Sequence, residues 1–299
     1  MANLLSLLLR VVAWLNRGAT WVIARLLARL LYLGSSGHTT RINLTTCFPG
    51  LNEAARQRLA LTSLSHTVLL FFEMAQLRFW DQQRLMEGVS VDGKEYLDRA
   101  VAEGNGVLLL VPHLGNWEIM CVFLGLNYQL SALYDRPKVA GVEELILHAR
   151  QRFGGELHAI DVGGIRSFIK SLKGGAVAAV LPDQVPAYEG GVYAPFFDHP
   201  ALTMTLPYQL LKRTQATPLL GTVRRVPNPG QAFGRTGYSY ALSFVPLPGL
   251  DGSDAQATAQ SINHAIEQAV IAAPEQYQWE YKRFRRPPEG GKENIYRRQ

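Results

Sequence analysis

The run Val107-Leu108-Leu109-Leu110-Val111 limits the fold more than any other feature of the chain. It carries no polar residue on either side of a strand's two-residue repeat, so as a strand it must be covered on both faces. Similar apolar runs occur at 130–134, 157–161 and 176–181, separated by helical patterns at 117–126, 142–153 and 163–173. Strands alternating with helices of about ten residues predict βαβ units in an α/β fold, with a mostly parallel central sheet flanked by helices. A helix over 54–80 starts after the turn Pro49-Gly50, with Asn52 as N-cap, and a shorter helix covers 93–103. Residues 185–202, rich in Pro, Gly and aromatics, read as a loop. A helix at 203–214, strands at 218–226 and 238–247, a helix at 255–272 and a polar tail from Pro287 complete the pass.

Charge is concentrated at the two ends. Residues 1–52 hold five arginines and no acidic residue, and from Lys282 onward there are seven Lys/Arg against two Glu. The net charge of +6 suggests an anionic partner. One basic end is also strongly apolar, which favours a membrane surface over nucleic acid. No zinc-finger spacing or aromatic-basic RNA signature argues for nucleic acid. Arg10, Arg17, Arg25 and Arg29 interrupt residues 3–34, so no charge-free run reaches the roughly 18–20 residues of an uncomplicated spanning helix. On a continuous helix these arginines fall within an arc of about 120°. That pattern suits a helix lying in the bilayer interface or crossing it obliquely, or one packed on the protein's own core; a break at Gly18 would weaken it. No cleavable signal peptide is evident. Two cysteines, Cys47 and Cys121, make no CxxC motif and point to a reducing, cytosol-facing compartment.

Ligands of open α/β sheets sit beyond the carboxyl ends of the strands. Three polar clusters fall there. His113-Leu114-Gly115-Asn116-Trp117-Glu118 follows the first strand, Asp135-Arg136 the second and Asp183-Gln184 the fourth. Imidazole is suited to taking a proton near neutral pH, and Glu118 could hold its other nitrogen. No Ser or Cys nucleophile accompanies the histidine, which favours attack by a substrate hydroxyl. Taken alone, His113 and Glu118 read more readily as a loop histidine and a helix cap. The spacing matches no usual zinc motif, so no metal is expected. Arg136 suits phosphate or developing negative charge. Arg150 and Arg152, before Phe153-Gly154-Gly155, also suit a helix C-terminus. Asp183-Gln184 reads as either site or turn.

The ordered series resembles the late acyltransferases of bacterial lipid A biosynthesis, the lauroyl/myristoyl transferase family, over nearly the whole length. It runs from Arg41-Ile42-Asn43-Leu44 and Cys47-Phe48-Pro49 through His113–Glu118, which matches H-x4-D/E, to Tyr134-Asp135-Arg136-Pro137. It continues with Arg150-Gln151-Arg152-Phe153-Gly154, Leu181-Pro182-Asp183-Gln184 and Pro195-Phe196-Phe197. It ends with Pro274-Glu275-Gln276-Tyr277-Gln278-Trp279 and Lys282-Arg283-Phe284. Asp135 departs from the Tyr-Arg pair common in relatives. The resemblance implies a glycerol-3-phosphate acyltransferase-like fold. It also implies O-acyl transfer from acyl-acyl carrier protein, or acyl-CoA, to a hydroxyl of a lipid A precursor. His113 would be the base and Glu118 its orienting partner. Arg136, Arg150 and Arg152 would hold phosphate or the oxyanion, and Asp183 with Gln184 would organise the site. No cofactor is expected. The partners would be acyl carrier protein and an anionic lipid at the cytoplasmic face of the inner membrane, with no nucleic acid. The expected organisation is a membrane-associated helix over 1–35, an acyltransferase domain over 40–288 and a flexible basic tail over 289–299. Two other readings are the same chemistry on a phospholipid, ornithine lipid or other glycolipid, and a peripheral lipid-binding protein without catalysis.

Overall fold

A computed structural model describes residues 9–135, 147, 150–228, 230, 232–234, 237–250, 252–288 and 294–296. It is a mixed α/β structure with a mostly parallel central sheet flanked by helices. The strands are β1 Ser90–Asp92, β2 Val107–Leu110, β3 Leu130–Tyr134, β4 Glu156–Ala159, β5 Val177–Val180, β6 Gly191–Phe196, β7 His199–Met204, β8 Thr217–Pro227 and β9 Tyr238–Pro246. Seven of them form one sheet in the order β1-β9-β8-β2-β5-β3-β4, and every pairing is parallel except β8 with β9. The unalternated runs form its centre. Val107–Leu110 and Val177–Val180 are buried at every residue, and their side chains divide by parity between two cores. Val107, Leu109, Val177 and Ala179 face one layer; Leu108, Leu110, Ala178 and Val180 face the other. Each fully buried aliphatic side chain contributes about 1.5–3 kcal/mol relative to exposure.

The named helices are α1 Arg17–Leu33, α2 Ser35–Cys47, α3 Glu53–Phe79, α4 Gln82–Met86, α5 Lys94–Ala102, α6 Trp117–Asn127, α7 Val162–Lys173, α8 Leu206–Arg213 and α9 Ala255–Ala272. On the first face lie α5, α6 and most of the buried side of α3, and on the second α7, α8 and α9. Asn52 caps α3 as expected, accepting from Ala55 N at 2.9 Å.

Two expectations need correction. Residues 185–202 are not only loop, because β6 and β7 pair as an antiparallel hairpin. Its prolines are tolerated because both strands are edges, where a missing N–H breaks no inner ladder; Pro195 pairs with Pro200. The N-terminal helix does not break at Gly18. It breaks at Leu15–Asn16, where Asn16 caps α1 by accepting from Ala19 N at 2.8 Å, while Gly18 is buried within α1. A second break at Gly34 starts α2.

α1 turns its small residues inward. Gly18, Thr20, Ala24 and Ala28 are buried, which lets it lie close against α3, while Val22, Leu26, Leu30 and Leu33 face outward beside Arg25 and Arg29. Among the described residues no helix is long and apolar enough to cross a membrane.

Candidate active site

Four atoms of His113 are anchored. β2 ends at Leu110, and the chain continues beside β5 through the Val111 N–H, which donates to Val180 O at 2.9 Å. The β2–β5 register pairs Val107 with Val177 and Leu110 with Val180. Carried three residues further, it sets His113 opposite Asp183. The His113 backbone N–H donates to Asp183 Oδ2 at 2.9 Å, and Nδ1 meets Asp183 Oδ1 at 2.7 Å. On the far side of the ring, Nε2 lies 3.1 Å from Gln184 Nε2. The His113 carbonyl accepts from Gln278 N at 3.2 Å. This assigns the tautomer with a proton on Nδ1 and a lone pair on Nε2, the arrangement a general base requires. Burial opposes charge on Asp183, but the adjacent imidazole and its hydrogen bonds more than offset that and hold its pKa below the ordinary carboxylate value.

The Glu118 carboxylate is bonded to Arg150 and Trp117, and the carboxylate on the His113 ring is that of Asp183. Glu118 occupies the first turn of α6, with its backbone N–H capped by Asn116 Oδ1 at 3.2 Å. Arg150 grips it through Nε at 2.7 Å and Nη2 at 2.5 Å, and Trp117 Nε1 adds a bond at 3.1 Å. Burial works against the Arg150 charge, but the Glu118 carboxylate outweighs it and raises the Arg150 pKa. The pair is a bidentate fork in a nearly dry setting. The turn between His113 and Glu118 needs glycine. Gly115 has φ +63°, and a Cβ there would stand 1.8 Å from Val223 O. Its N–H donates to Gln276 O at 2.9 Å.

His113, Glu118, Arg150 and Gln184 border a cavity of about 670 Å³, with Asp135 also on its lining. The rest of the wall is mostly apolar, including Met120, Cys121, Ala132, Ala179, Ile165 and Leu206. This size and lining suit a ligand with a long apolar portion and a polar reacting end. The C-terminal segment straps the loop beside it: the Tyr281 hydroxyl accepts from Val185 N at 2.8 Å, and Arg286 Nη1 donates to Pro186 O at 2.7 Å. Among the described residues no three His, Cys, Asp or Glu side chains gather as metal ligands would.

The remaining expected site residues divide. Arg136 lies outside the described residues. Arg152 is not brought to the cavity. Its Nη1 donates to Leu77 O at 3.1 Å and Arg78 O at 2.7 Å, the orphan carbonyls at the end of α3. A supporting layer went unforeseen. Glu73 on α3 pairs with Arg225 at 2.7 and 2.5 Å and accepts from the Tyr238 and Tyr240 hydroxyls at 2.9 and 3.0 Å. Asn116 Nδ2 reaches the Tyr240 hydroxyl at 3.3 Å. The Gln276 amide pairs with both backbone groups of Arg225, at 2.8 and 2.9 Å. The available signal was Arg224-Arg225, adjacent residues of a strand, one of which must point inward.

Known proteins carry the same pattern along the chain. The family described as bacterial lipid A biosynthesis acyltransferase matches residues 2–286. The lipid A biosynthesis lauroyltransferase of Escherichia coli (strain K12) is 26% identical over 294 residues, covering 93% of this chain and 92% of that protein. The lipid A biosynthesis acyltransferase of Haemophilus influenzae is 27% identical over 257 residues, covering 85% and 76%. The lipid A biosynthesis myristoyltransferase of Escherichia coli (strain K12) is 27% identical over 277 residues, covering 88% and 82%. With the match running from residue 2 to residue 286, through β2, β5 and the C-terminal strap alike, the chain belongs to the bacterial lipid A biosynthesis acyltransferase family.

Proposed function

We propose that this acyltransferase moves a fatty acyl chain from an acyl thioester, acyl-acyl carrier protein or acyl-CoA, to a hydroxyl of a lipid A precursor, with His113 as general base. The observation that carries this reading is the Asp183–His113–Gln184 line, whose His113 and Gln184 border a largely apolar cavity. The acyl chain fills the apolar part, and the acceptor hydroxyl takes the place beside Nε2 that Gln184 borders. Nε2 removes the hydroxyl proton as the oxygen attacks the thioester carbonyl carbon. Asp183 supports the imidazolium that forms. Arg150, locked by Glu118, presents fixed positive charge at the cavity wall for the oxyanion or for acceptor phosphate. Collapse breaks the C–S bond, and the leaving thiolate takes the proton from the imidazolium. No cofactor or metal enters this scheme.

The acceptor is embedded in a bilayer and the carrier protein is soluble, so the enzyme works at the cytoplasmic face of the inner membrane. The outward Leu, Val and Trp side chains of residues 11–33, with the exposed Arg10, Arg25 and Arg29, form the contact. The test is a purified assay with acyl-acyl carrier protein and detergent-dispersed lipid A precursor, read by mass spectrometry. The product should gain one acyl group, and His113→Ala should lower the rate about 10²–10⁴-fold. Near-normal turnover by a folded His113→Ala protein would remove the mechanism. Acylation of a phospholipid in place of the glycolipid would change the acceptor.

A further inference from the structure

The reaction at His113 leaves an apolar recess unused. It lies between residues 9–12, α1 and α3 and measures about 440 Å³. Val68 and Phe72 form its buried floor; Leu9, Val12, Leu27 and Leu31 are among its walls. Its crest is exposed: Leu30 is 67% and Phe71 70% accessible, and Trp14 nearby in sequence is 83% accessible. The recess follows from the inverted placement of side chains on α1. The small residues Gly18, Ala24 and Ala28 take the inner face, so the large aliphatic residues are left outside with a gap between them. A water-facing surface of this kind marks a place where something apolar binds.

Charge identifies the occupant. Arg10, Arg25 and Arg29 are exposed on the same helical segments, and the first 52 residues contain no carboxylate side chain to neutralise them. An apolar body under an anionic head meets both conditions, and a membrane phospholipid has that build. We propose that this recess takes up one acyl chain of an anionic bilayer phospholipid, while the crest and the arginines lie in the headgroup layer. The inference rests on the membrane-contact reading above and goes beyond it: it seats a single lipid chain against α3, where contact alone would leave the floor untouched.

The experiment uses the full chain, vesicles of phosphatidylethanolamine and phosphatidylglycerol, and a phosphatidylglycerol carrying a diazirine in its acyl chain. After photolysis, labelled residues are located by peptide mass spectrometry. Label is expected on the floor, at Val68, Phe72 and Leu31, as well as on the crest. Leu27→Gln, a partly exposed wall position, is expected to lower floor labelling at least tenfold while vesicle co-sedimentation and circular dichroism stay unchanged. Replacing phosphatidylglycerol by phosphatidylcholine around a zwitterionic probe is expected to reduce floor labelling severalfold. Label confined to Trp14, Leu26 and Leu33 would overturn the groove and leave membrane contact standing. Absence of label anywhere would overturn both. Floor labelling that appears only after residues 1–8 are deleted would make the chain's own start the occupant and overturn the lipid assignment.

Discussion

Asp183→Asn separates the pairing seen here from the one expected from H-x4-E spacing. Asp183 uses both oxygens on His113, one for the backbone N–H at 2.9 Å and one for Nδ1 at 2.7 Å. Asparagine has a single acceptor oxygen. If that oxygen keeps the backbone N–H, its amide N–H faces Nδ1 and drives the proton to Nε2, which destroys the base. If it keeps Nδ1, the backbone N–H meets a donor. A hydrogen bond to a charged group is worth about 1.5–3 kcal/mol, and a buried donor left unmet costs about 1–3 kcal/mol. The unmet donor weighs on the ground and transition states alike and cancels in kcat. Loss of the charged acceptor for the imidazolium, about 1.5–3 kcal/mol, is about 10–10²-fold at about 1.4 kcal/mol per factor of ten, and the wrong tautomer carries the loss toward about 10⁴. Glu118→Gln also lowers kcat, because it loosens the Arg150 fork, so rate alone does not separate the two carboxylates. The tautomer does. Long-range ¹H–¹⁵N correlation on histidine-labelled protein should show the His113 proton on Nδ1 in the wild type and in Glu118→Gln, and on Nε2 or mixed in Asp183→Asn. A tautomer that Asp183→Asn leaves alone and Glu118→Gln changes would return the orienting role to Glu118 and refute this reasoning.

Arg152→Ala should leave kcat/KM within about twofold and cost roughly 1–2 kcal/mol in a denaturant titration, since it removes a helix-end cap; Arg150→Ala in the same assay should lose at least about 10²-fold. Glu73→Gln should destabilise by about 3–5 kcal/mol, because it leaves Arg225 charged and buried without its counterion; a loss under 1 kcal/mol would show the pair to be relaxed. Burial pushes the Cys121 thiol up to about 12, so iodoacetamide at pH 8 should leave Cys121 unmodified in the folded protein and modify it in urea. Asp183 is more acidic folded than unfolded, so its stabilising contribution is complete above its ordinary value of 3.8 and is lost as the pH falls through the lower folded value. Asp183→Asn should flatten that part of the acid unfolding curve, measured by circular dichroism below pH 4.

The central sheet was legible because burial on both faces leaves a signature that helices do not share. Val107–Leu110 and Val177–Val180 read directly as inner strands, and both are. The hairpin at 191–204 was not legible because its two-residue turn, Phe197-Asp198, has positive φ at both positions without a glycine or asparagine to announce it. At the site, the convergence of His113, Asp183 and Gln184 followed from the strand-end rule, but the choice of partner did not. Sequence spacing counts residues along one segment, and it favoured Glu118, five positions away. The contact is set by register between two strands: an offset of 70 pairs Val107 with Val177, and the same offset pairs His113 with Asp183. Arg150 and Arg152 are two residues apart at a helix end and were treated alike. Side chains two residues apart there diverge, and one holds Glu118 while the other caps α3.

The N-terminal helix joins these two themes. Arg17 donates to Tyr238 O at 2.9 Å, and its guanidinium stands 4.7 Å from the Tyr240 ring centroid. The Tyr240 hydroxyl touches Glu73 and Asn116, and Asn116 caps the residue whose carboxylate grips Arg150. Trp80 Nε1 donates to Ala13 O at 2.7 Å, and Trp21 lies against His66 and Phe233. Swinging α1 away would therefore break the Arg17 contacts, uncover Gly18, Ala24 and Ala28, and remove one wall from the Glu73 network. Attachment to a bilayer through the outer face of α1 avoids all of these costs, since that face has no inner partner to lose. Under the proposed membrane contact, a helix held in this way would lie along the interface with the domain attached, and packed side chains would set the distance between the lipid surface and Arg150. The segment that reads as an anchor in the sequence is thus, through Arg17 and the small residues of its inner face, also part of the scaffold behind His113.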